Sequence, residues 1–372
     1  TYAYCDTSDP RRCFGSICPL ETLMCSMKRS RTRVTLVALA TLGCGSGAPE
    51  DGAVQEVADV EALARRAAAE GTGLWYDSSP EDQGRAVLRA FNRRYPTVSL
   101  RHVRLVGGLE IAARMVLEAR SPREASDVAT LAAEQAHVLQ GRGLLGPIPW
   151  ARYGVDERAI AAPYALATAA AVYVVLYNSD DLNASSAPAS WEALTSPQWK
   201  GRVGAWVSPH PFVQLVPSWG GERTARYTEA FAAQEPVLYR STFPLAQAVA
   251  SGELSVALGI WHAARPVIEA GAPIGVVALN PTPVSTLYTV VPTTAPNPYT
   301  GRLFASWLAT EEGALAYESA TGRGNPLFAS TETARFLEDR EVTEFAFPDI
   351  AEAQEWIARL GARLRSGGQE LN

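Results

Sequence analysis

The most informative stretch of the chain reads Tyr177-Asn178-Ser179-Asp180-Asp181, then Pro188-Ala189-Ser190-Trp191-Glu192-Ala193-Leu194, then Pro197-Gln198-Trp199-Lys200-Gly201-Arg202-Val203. The order of residue types predicts a strand that leaves a core near Asn178 and a short helix with Ser190 as its N-cap. It also predicts a tight turn at Gly201 into the next strand. The preceding run 167–177 is apolar on both alternating faces, which is typical of a strand buried on both sides.

Strand and helix patterns alternate on both sides of this stretch. Before it we predict strands at 73–77, 98–105 and 127–130 and helices at 54–70, 80–94 and 109–119; after it, strands at 202–207, 237–240, 255–260, 274–279 and 284–291 and helices at 222–233, 244–251, 263–270, 298–309, 311–320 and within 331–365. Such alternation predicts an α/β protein with doubly wound, parallel sheets. Two alternating units in one chain indicate two lobes.

The ordered motifs resemble those of bacterial extracellular solute-binding proteins, in the branch that includes the ferric-iron binders. The resemblance covers about 73–326 and rests on Tyr177-Asn178, Trp199-Lys200-Gly201, Ala250-Ser251-Gly252-Glu253, Ala295-Pro296-Asn297-Pro298 and Gly324-Asn325-Pro326. It implies the two-lobed type 2 periplasmic-binding-protein fold, with a hinge and an interlobe cleft. Lobe one would comprise residues 71–166 and 285–326, and lobe two would comprise residues 167–284. Residues 327–372 would form C-terminal helices.

The resemblance also implies a role. Proteins of this kind capture a small solute and deliver it to the permease and ATPase of an ABC importer. A periplasmic sensor subunit, a ferric-iron or iron-chelate binder without the tyrosine pair, and an enzyme on a two-lobed scaffold are the alternatives. The sequence contains no G-x-S-x-G elbow, H-E-x-x-H pair or P-loop, so we expect a binding protein rather than an enzyme. Asp127, before a predicted strand, is the one carboxylate position considered for chemistry.

The first residues differ in character from the rest of the chain. Four of the five cysteines fall within 1–26, and Met27 is followed by the basic run 28–33 and the apolar run 34–42. We interpret 27–43 as a signal peptide and 1–26 as an upstream artefact, with translation starting at Met27 or Met24. A zinc module of the four cysteines is the alternative, although their spacing lacks paired C-x-x-C arms.

Cys44 directly follows the apolar run and is the candidate for lipidation, with 44–53 as a flexible tether. Ordinary secretion is the alternative, because the preceding residues match a lipobox imperfectly. We therefore expect the protein at the periplasmic or extracellular face of the membrane, held there by a lipid anchor. A net charge of −6 and the absence of a basic run after residue 43 argue against nucleic acid as a partner. We expect a monomer without a cofactor.

Small polar residues occur where predicted strands lead into helices. They are Ser78, Ser79, Gly107, Gly108, Ser208, Ser241 and Thr242. Ligands of open α/β sheets bind beyond the carboxyl ends of the strands. Hydroxyl groups and free backbone N–H groups at helix N-termini bind anionic oxygen well. The sequence thus predicts a phosphate, phosphonate or carboxylate solute; ordinary helix capping is the alternative for each residue.

Other candidate ligand-binding residues are His210, Trp261, His262 and Tyr288. Trp261 offers an apolar face, while the histidines offer hydrogen bonds. The resemblance would place the iron-binding tyrosine pair at Ala263 and Ala264, which disfavours direct ferric binding. We expect no bound metal. The tryptophans at 191, 199, 206, 307 and 356 are expected to pack in the core.

Overall fold

The structure is a computed structural model that describes residues 54–120 and 125–370. The predicted signal peptide, Cys44 and the tether lie outside the described residues. The strands are β1 Gly73–Asp77, β2 Leu100–Arg104, β3 Val128–Ala132, β4 Ile160–Ala162, β5 Ala165–Asn178, β6 Val203–Trp206, β7 Val237–Tyr239, β8 Val256–Ile260, β9 Ile274–Val277, β10 Thr282–Val290, β11 Val342–Thr343 and β12 Gln369–Glu370. The α-helices are α1 Val60–Ala67, α2 Glu81–Arg94, α3 Gly108–Glu118, α4 Ala133–Gly141, α5 Trp191–Leu194, α6 His210–Val213, α7 Val216–Trp219, α8 Gly221–Ala232, α9 Thr242–Ala250, α10 Trp261–Glu269, α11 Pro298–Leu308, α12 Glu311–Thr321, α13 Glu332–Leu337 and α14 Ile350–Gly367.

The strands join in the order β12-β7-β6-β8-β5-β10-β3-β1-β2. The first strand group, β1 to β3, and the second strand group, β6 to β8, each pair in parallel. Antiparallel β5 and β10 lie between the groups and connect them. Parallel groups on either side of two crossing strands confirm the predicted α/β class. The lobe boundaries given above stay a prediction.

The long strand β5 explains why the apolar run reads as it does. Its first half pairs with β10, and its second half pairs with β8 and β9. Nearly every residue along the strand is buried because helices cover both faces. Most positions of the strand are therefore apolar, as the sequence indicated.

Local signals in 177–203 are confirmed in detail. The Ser190 hydroxyl accepts a hydrogen bond from the Ala193 amide at 3.2 Å and caps α5. Gly201 has a φ of +68° at the turn, a conformation that favours glycine. The Asn178 side chain donates to the Val249 carbonyl at 2.8 Å and so ties the end of β5 to α9.

The predicted helix within 331–365 is wrong over its middle part. The chain leaves α13 and runs extended, and β11 pairs in parallel with β10 at Thr282 and Pro283. A 3-10 helix, Phe347–Asp349, then leads into α14. The β-branched pair Val342-Thr343 and Pro348 favour this break, and pairing with the free edge of β10 stabilises it.

Helix α14 contacts elements on both sides of the crossing strands. It packs on α8 and α6, and it also packs on α4. Gln354 donates to the backbone carbonyl of Glu134 at 3.2 Å, while Arg363 binds Glu229 at 2.7 Å. The C-terminal segment thus connects the two strand groups. Among the described residues, no helix combines the length and hydropathy that a bilayer crossing requires.

Gly301, the glycine of α11, is expected to tolerate no larger residue. A Cβ at this position would overlap the backbone carbonyl of Asp127, which cannot move as a flexible side chain can. We expect Gly301→Ala to lower the free energy of unfolding by about 1–3 kcal/mol in urea denaturation. Gly141→Ala is the control, because its Cβ meets open space at the end of α4. Gly141→Ala should raise stability by about 0.4–1 kcal/mol. Equal effects of the two changes would contradict the argument.

Candidate functional site

Two groups of side chains lie where the carboxyl ends of the first strand group meet elements that follow the second. We call them the Arg323 cluster and the Glu134 cluster. The Arg323 cluster comprises Asp77, Ser78, Ser79, His262, Tyr317 and Arg323. The Glu134 cluster comprises Glu134, Tyr173, Trp206, Ser208, His210 and Glu344.

The guanidinium of Arg323 organises the first cluster. It donates to the Ser79 hydroxyl at 2.8 Å and to the Ser78 hydroxyl at 3.4 Å. Its Nη1 lies 3.8 Å from Oδ2 of Asp77, and that oxygen also accepts the Tyr317 hydroxyl at 2.9 Å. Ser78 and Ser79 therefore face a cation that the sequence interpretation did not include.

Charge in this cluster is stabilised by its neighbours. Burial alone would raise the pKa of Asp77, but His102 and the charge of Arg323 hold it well below its usual range. The His102 Nε2 atom lies 3.8 Å from Asp77 Oδ1, which is beyond hydrogen-bond distance. The Nε atom of Arg323 is buried and has no hydrogen-bond partner among the described residues. One donor of the guanidinium is thus unused.

His262 brings the second strand group into the same cluster. It is the second residue of α10, the helix that directly follows β8, and a Cβ on Gly322 would lie 3.3 Å from its Cα. Burial and the positive charge of Arg323 lower the pKa of His262 well below its usual value, so the imidazole is neutral. Its Nδ1 atom is buried without a partner in the described part of the chain. The cluster therefore combines unused nitrogen atoms from both sides of the crossing strands.

The Glu134 cluster joins the two strand groups at a second point. Glu134 lies in the first turn of α4, which directly follows β3, and His210 begins α6 beyond β6. The His210 Nε2 atom lies 3.5 Å from Oε1 of Glu134. The other imidazole nitrogen, Nδ1, hydrogen-bonds the Ser208 hydroxyl. The Trp206 ring stacks on His210 with 5.7 Å between centroids and 25° between planes.

Carboxyl groups dominate the charge of this second cluster. Burial alone would raise the pKa of Glu134, but His210 holds it below its usual value. Glu344 binds the backbone and side chain of Thr286, and burial raises its pKa to about 7. Burial also raises the pKa of Tyr173, and both carboxyl groups add to that effect. Tyr173 is thus a neutral hydroxyl, which hydrogen-bonds Ser285 at 3.1 Å.

The structure places the other predicted ligand residues around these clusters. Gly107 is exposed with a φ of +87°, and Gly108 packs against the Gln135 side chain, next to Glu134. The amide before them, that of Val106, donates to Glu110 at 2.7 Å, so the chain already supplies an acceptor at this junction. The positive φ of Gly107 is a conformation that favours glycine, and the ligand role of both glycines stays a prediction.

Ser241 and Thr242 begin α9 and are only partly buried. Ser241 lines a cavity of about 670 Å³ together with Tyr239, Arg240, Gln247 and Glu253, and neither cluster contributes to that lining. The next residue after Thr242, Phe243, lies near the first cluster, with 6.3 Å between its ring and that of His262. The structure therefore brings the start of α9 close to His262 without a hydrogen bond between them.

Two predicted aromatic residues are already covered by others. The Trp261 ring stacks on Phe336 at 5.0 Å and 12°, so Phe336 occupies one face. Tyr288 is 5% exposed and packs on Phe347 at 4.6 Å, and burial raises the pKa of its phenol. Ala263 and Ala264 are fully buried in α10. Within the described ranges, no group of three or more His, Cys, Asp or Glu side chains is placed to hold a metal ion.

The Asp127 carboxylate makes hydrogen bonds that stabilise the fold, and these bonds occupy both of its oxygen atoms. Its carboxylate accepts the Leu74 amide at 2.8 Å, and it also accepts hydrogen bonds from the backbone and side chain of Asn297. The Asn297 side chain in turn accepts the Gly71 amide at 3.0 Å. The Ala295-Pro296-Asn297-Pro298 motif therefore joins the start of α11 to β1.

Sequence reasoning missed Arg323, Glu134 and Trp206 as members of the site. Arg323 directly precedes Gly324-Asn325-Pro326, which served only as a family motif. Glu134 was missed because the strand was expected to end at Thr130, whereas β3 continues to Ala132. Trp206 is only half-buried, unlike the other core tryptophans. The rule that ligand groups follow strand carboxyl ends would have found Glu134 with the correct strand length.

The chain belongs to a known family. Residues 86–344 match the family model of bacterial extracellular solute-binding proteins. It is therefore a solute-binding receptor, and its family is one that works outside the cytoplasm. No curated protein matches the sequence.

Solved structures of periplasmic binding proteins share the fold. Iron-bound HitA from Pseudomonas aeruginosa is 19% identical, with a TM-score of 0.66 over 78% of this chain and 99% of HitA. AfuA from Actinobacillus pleuropneumoniae, with fructose-6-phosphate bound, is 17% identical, with a TM-score of 0.67 over 80% and 99%. The substrate-binding protein of an ABC transporter from Agrobacterium tumefaciens is 17% identical, with a TM-score of 0.67 over 80% of this chain and 95% of that protein. These two-lobed relatives confirm the predicted fold.

Proposed function

We propose that the protein captures a small organic solute with an anionic group in the cleft between its strand groups and delivers it to the permease and ATPase of an ABC importer. The observation that carries this proposal is the Arg323 cluster. There a buried guanidinium, two serine hydroxyls and a neutral imidazole come together from both sides of the crossing strands. The planar guanidinium of arginine can bind two oxygen atoms of a carboxylate or phosphate group at once.

The mechanism follows from where these groups lie. Ser78, Ser79 and Arg323 belong with the first strand group, while His262 follows β8 of the second. A solute that contacts both sides favours the closed arrangement only by its extra contacts there. Movement about β5 and β10, the connecting strands, would open and close the site. AfuA, which is solved with a sugar phosphate, is a fold relative for which the same kind of ligand is recorded.

A screen of ligand classes tests the proposal. Purified protein is heated with phosphonates, sugar phosphates, carboxylates, polyamines or ferric salts, and the shift in melting temperature is measured. We expect an organic anion to give the largest shift, and calorimetry then gives its Kd. The Ser78→Ala, Ser79→Ala double variant should bind that anion at least tenfold more weakly, because it removes both hydroxyls beside Arg323.

Ser366→Ala is the matched control, since the exposed Ser366 hydroxyl donates only to the Arg363 carbonyl near the end of α14. Stabilisation by ferric salts or polyamines alone would contradict the anion assignment. Uptake of the labelled solute, compared between cells with and without the protein, tests delivery. Unchanged uptake together with tight binding would favour a sensor subunit instead.

A further inference from the structure

The Glu134 cluster has a polar atom that the chain leaves unused. Glu134 is 6% exposed, yet its Oε2 atom has no hydrogen-bond partner in the described part of the chain. The other oxygen, Oε1, lies 3.5 Å from Nε2 of His210. A buried carboxylate oxygen without a donor is costly unless a donor arrives. This oxygen is a ready acceptor for an N–H group.

The groups around Glu134 include a second carboxyl group and two phenols. Glu344 approaches from the C-terminal segment, and it is close enough to Glu134 for the charge of one to raise the pKa of the other. The phenol groups of Tyr173 and Tyr288 respond to the same two carboxyl groups. Glu134 approaches His210, and Glu344 accepts hydrogen bonds from the backbone and side chain of Thr286. A cationic group is what this end of the site lacks.

Apolar side chains, chiefly Trp206 and Ile260, lie between the two clusters. Trp206 packs with Tyr173 and Ile260, and it stacks on His210 of the Glu134 cluster. Ile260 ends β8, two residues before His262 of the Arg323 cluster. The half-buried indole therefore lies between the Arg323 cluster, which donates hydrogen bonds to anions, and the Glu134 cluster, which accepts hydrogen bonds from cationic groups. Indole faces also attract ammonium groups.

We propose that the solute is zwitterionic, with a protonated amine that Glu134 binds, a carbon skeleton over Trp206, and the anionic group at Arg323. This inference rests on the proposed function, and it names the solute class more narrowly. It also explains why the buried cation Arg323 lies in one cluster while Glu134 and Glu344 lie in the other. His210 holds Glu134 in place through Oε1 and leaves Oε2 for the amine.

Matched probe pairs test the inference. We would measure Kd by calorimetry at pH 7.5 for 3-aminopropylphosphonate against propylphosphonate and for 5-aminopentanoate against pentanoate. In at least one pair, the amino compound should bind at least tenfold more tightly than its partner. Glu134→Gln should remove that preference: it should weaken the amino probe at least tenfold and leave the partner within twofold.

The controls separate the amine site from general damage. Glu81→Gln, an exposed member of an ion pair on α2, should change neither probe. Melting temperatures show that each variant is folded. Equal affinity for both members of every pair, or equal weakening of both by Glu134→Gln, would overturn the inference while leaving the anion site intact. If no anionic probe or solute binds at all, the proposed function itself fails.

Discussion

Replacing Arg323 by methionine is expected to lower the free energy of unfolding by about 3–5 kcal/mol, because the change leaves the Asp77 carboxylate buried without its cation. The Ser79 hydroxyl also loses the guanidinium donor, which lies 2.8 Å away. The same variant should lose binding of the anionic solute, since the guanidinium is its expected partner. Urea denaturation at pH 7 measures the first effect, and calorimetry measures the second.

The pH dependence of this loss has a definite sign. The folded-state pKa of Asp77 lies below its value in the unfolded chain, about 3.9. The stability that this depression contributes is present above that unfolded value and is lost as pH falls through the folded value. The difference between the wild type and Arg323→Met should therefore be largest near neutrality and should shrink in strong acid.

Arg85→Met is the control for Arg323→Met. Arg85 forms an ion pair with Glu81 at 3.2 Å, but both side chains are mostly exposed. Surface pairs of this kind contribute about 0–1 kcal/mol. A loss no larger for Arg323→Met than for Arg85→Met would show that the Arg323 cluster is not a buried ion-pair network.

Replacing Glu344 by glutamine is expected to raise stability at alkaline pH by about 1–3 kcal/mol. The carboxyl group is buried although the residue keeps some exposed surface, and burial raises its pKa from 4.5 to about 7. The folded protein thus holds a proton that the unfolded chain releases. The stability that this raised pKa contributes to the folded wild type is fully present below about pH 4.5 and is lost as pH rises through 7.

Glutamine imitates the protonated carboxyl group and can still accept from the Thr286 amide. Denaturation curves at pH 5 and pH 8.5 should therefore differ little between the wild type and Glu344→Gln at the lower pH, and clearly at the higher one. Glu341→Gln, on the exposed part of the same segment, serves as the control. If the difference in free energy of unfolding between the wild type and Glu344→Gln stayed constant with pH, Glu344 would be ionised in the folded protein.

Several elements were predictable because their signals are local. Ser190 caps α5 through a bond to a residue three positions away, and Gly201 turns the chain by its own backbone freedom. The uninterrupted apolar run of β5 indicates burial on both faces whatever its neighbours are. Five ordered motifs between 177 and 326 indicated the family, and the family match confirms it.

The C-terminal segment shows where local signals fail. Residues 338–346 carry only the short β-branched pair Val342-Thr343 as a local signal, and they become extended because this pair forms β11 beside β10. Glu344 is an ordinary glutamate in sequence; only its contact with Thr286 makes its protonation unusual. Neither effect could be inferred from neighbours along the chain.

The amino-acid sequence by itself determined the α/β class, the crossing strand and the serines and glycines that follow the strands, since each depends on residues within a few positions. Tertiary structure alone decided which of those residues share a site. Arg323 meets Ser79 across 244 positions, and His262 joins them only because β8 lies beside β5. Burial and charge act through space, so the partners that set a pKa or leave a donor unused become known only when the chain is folded.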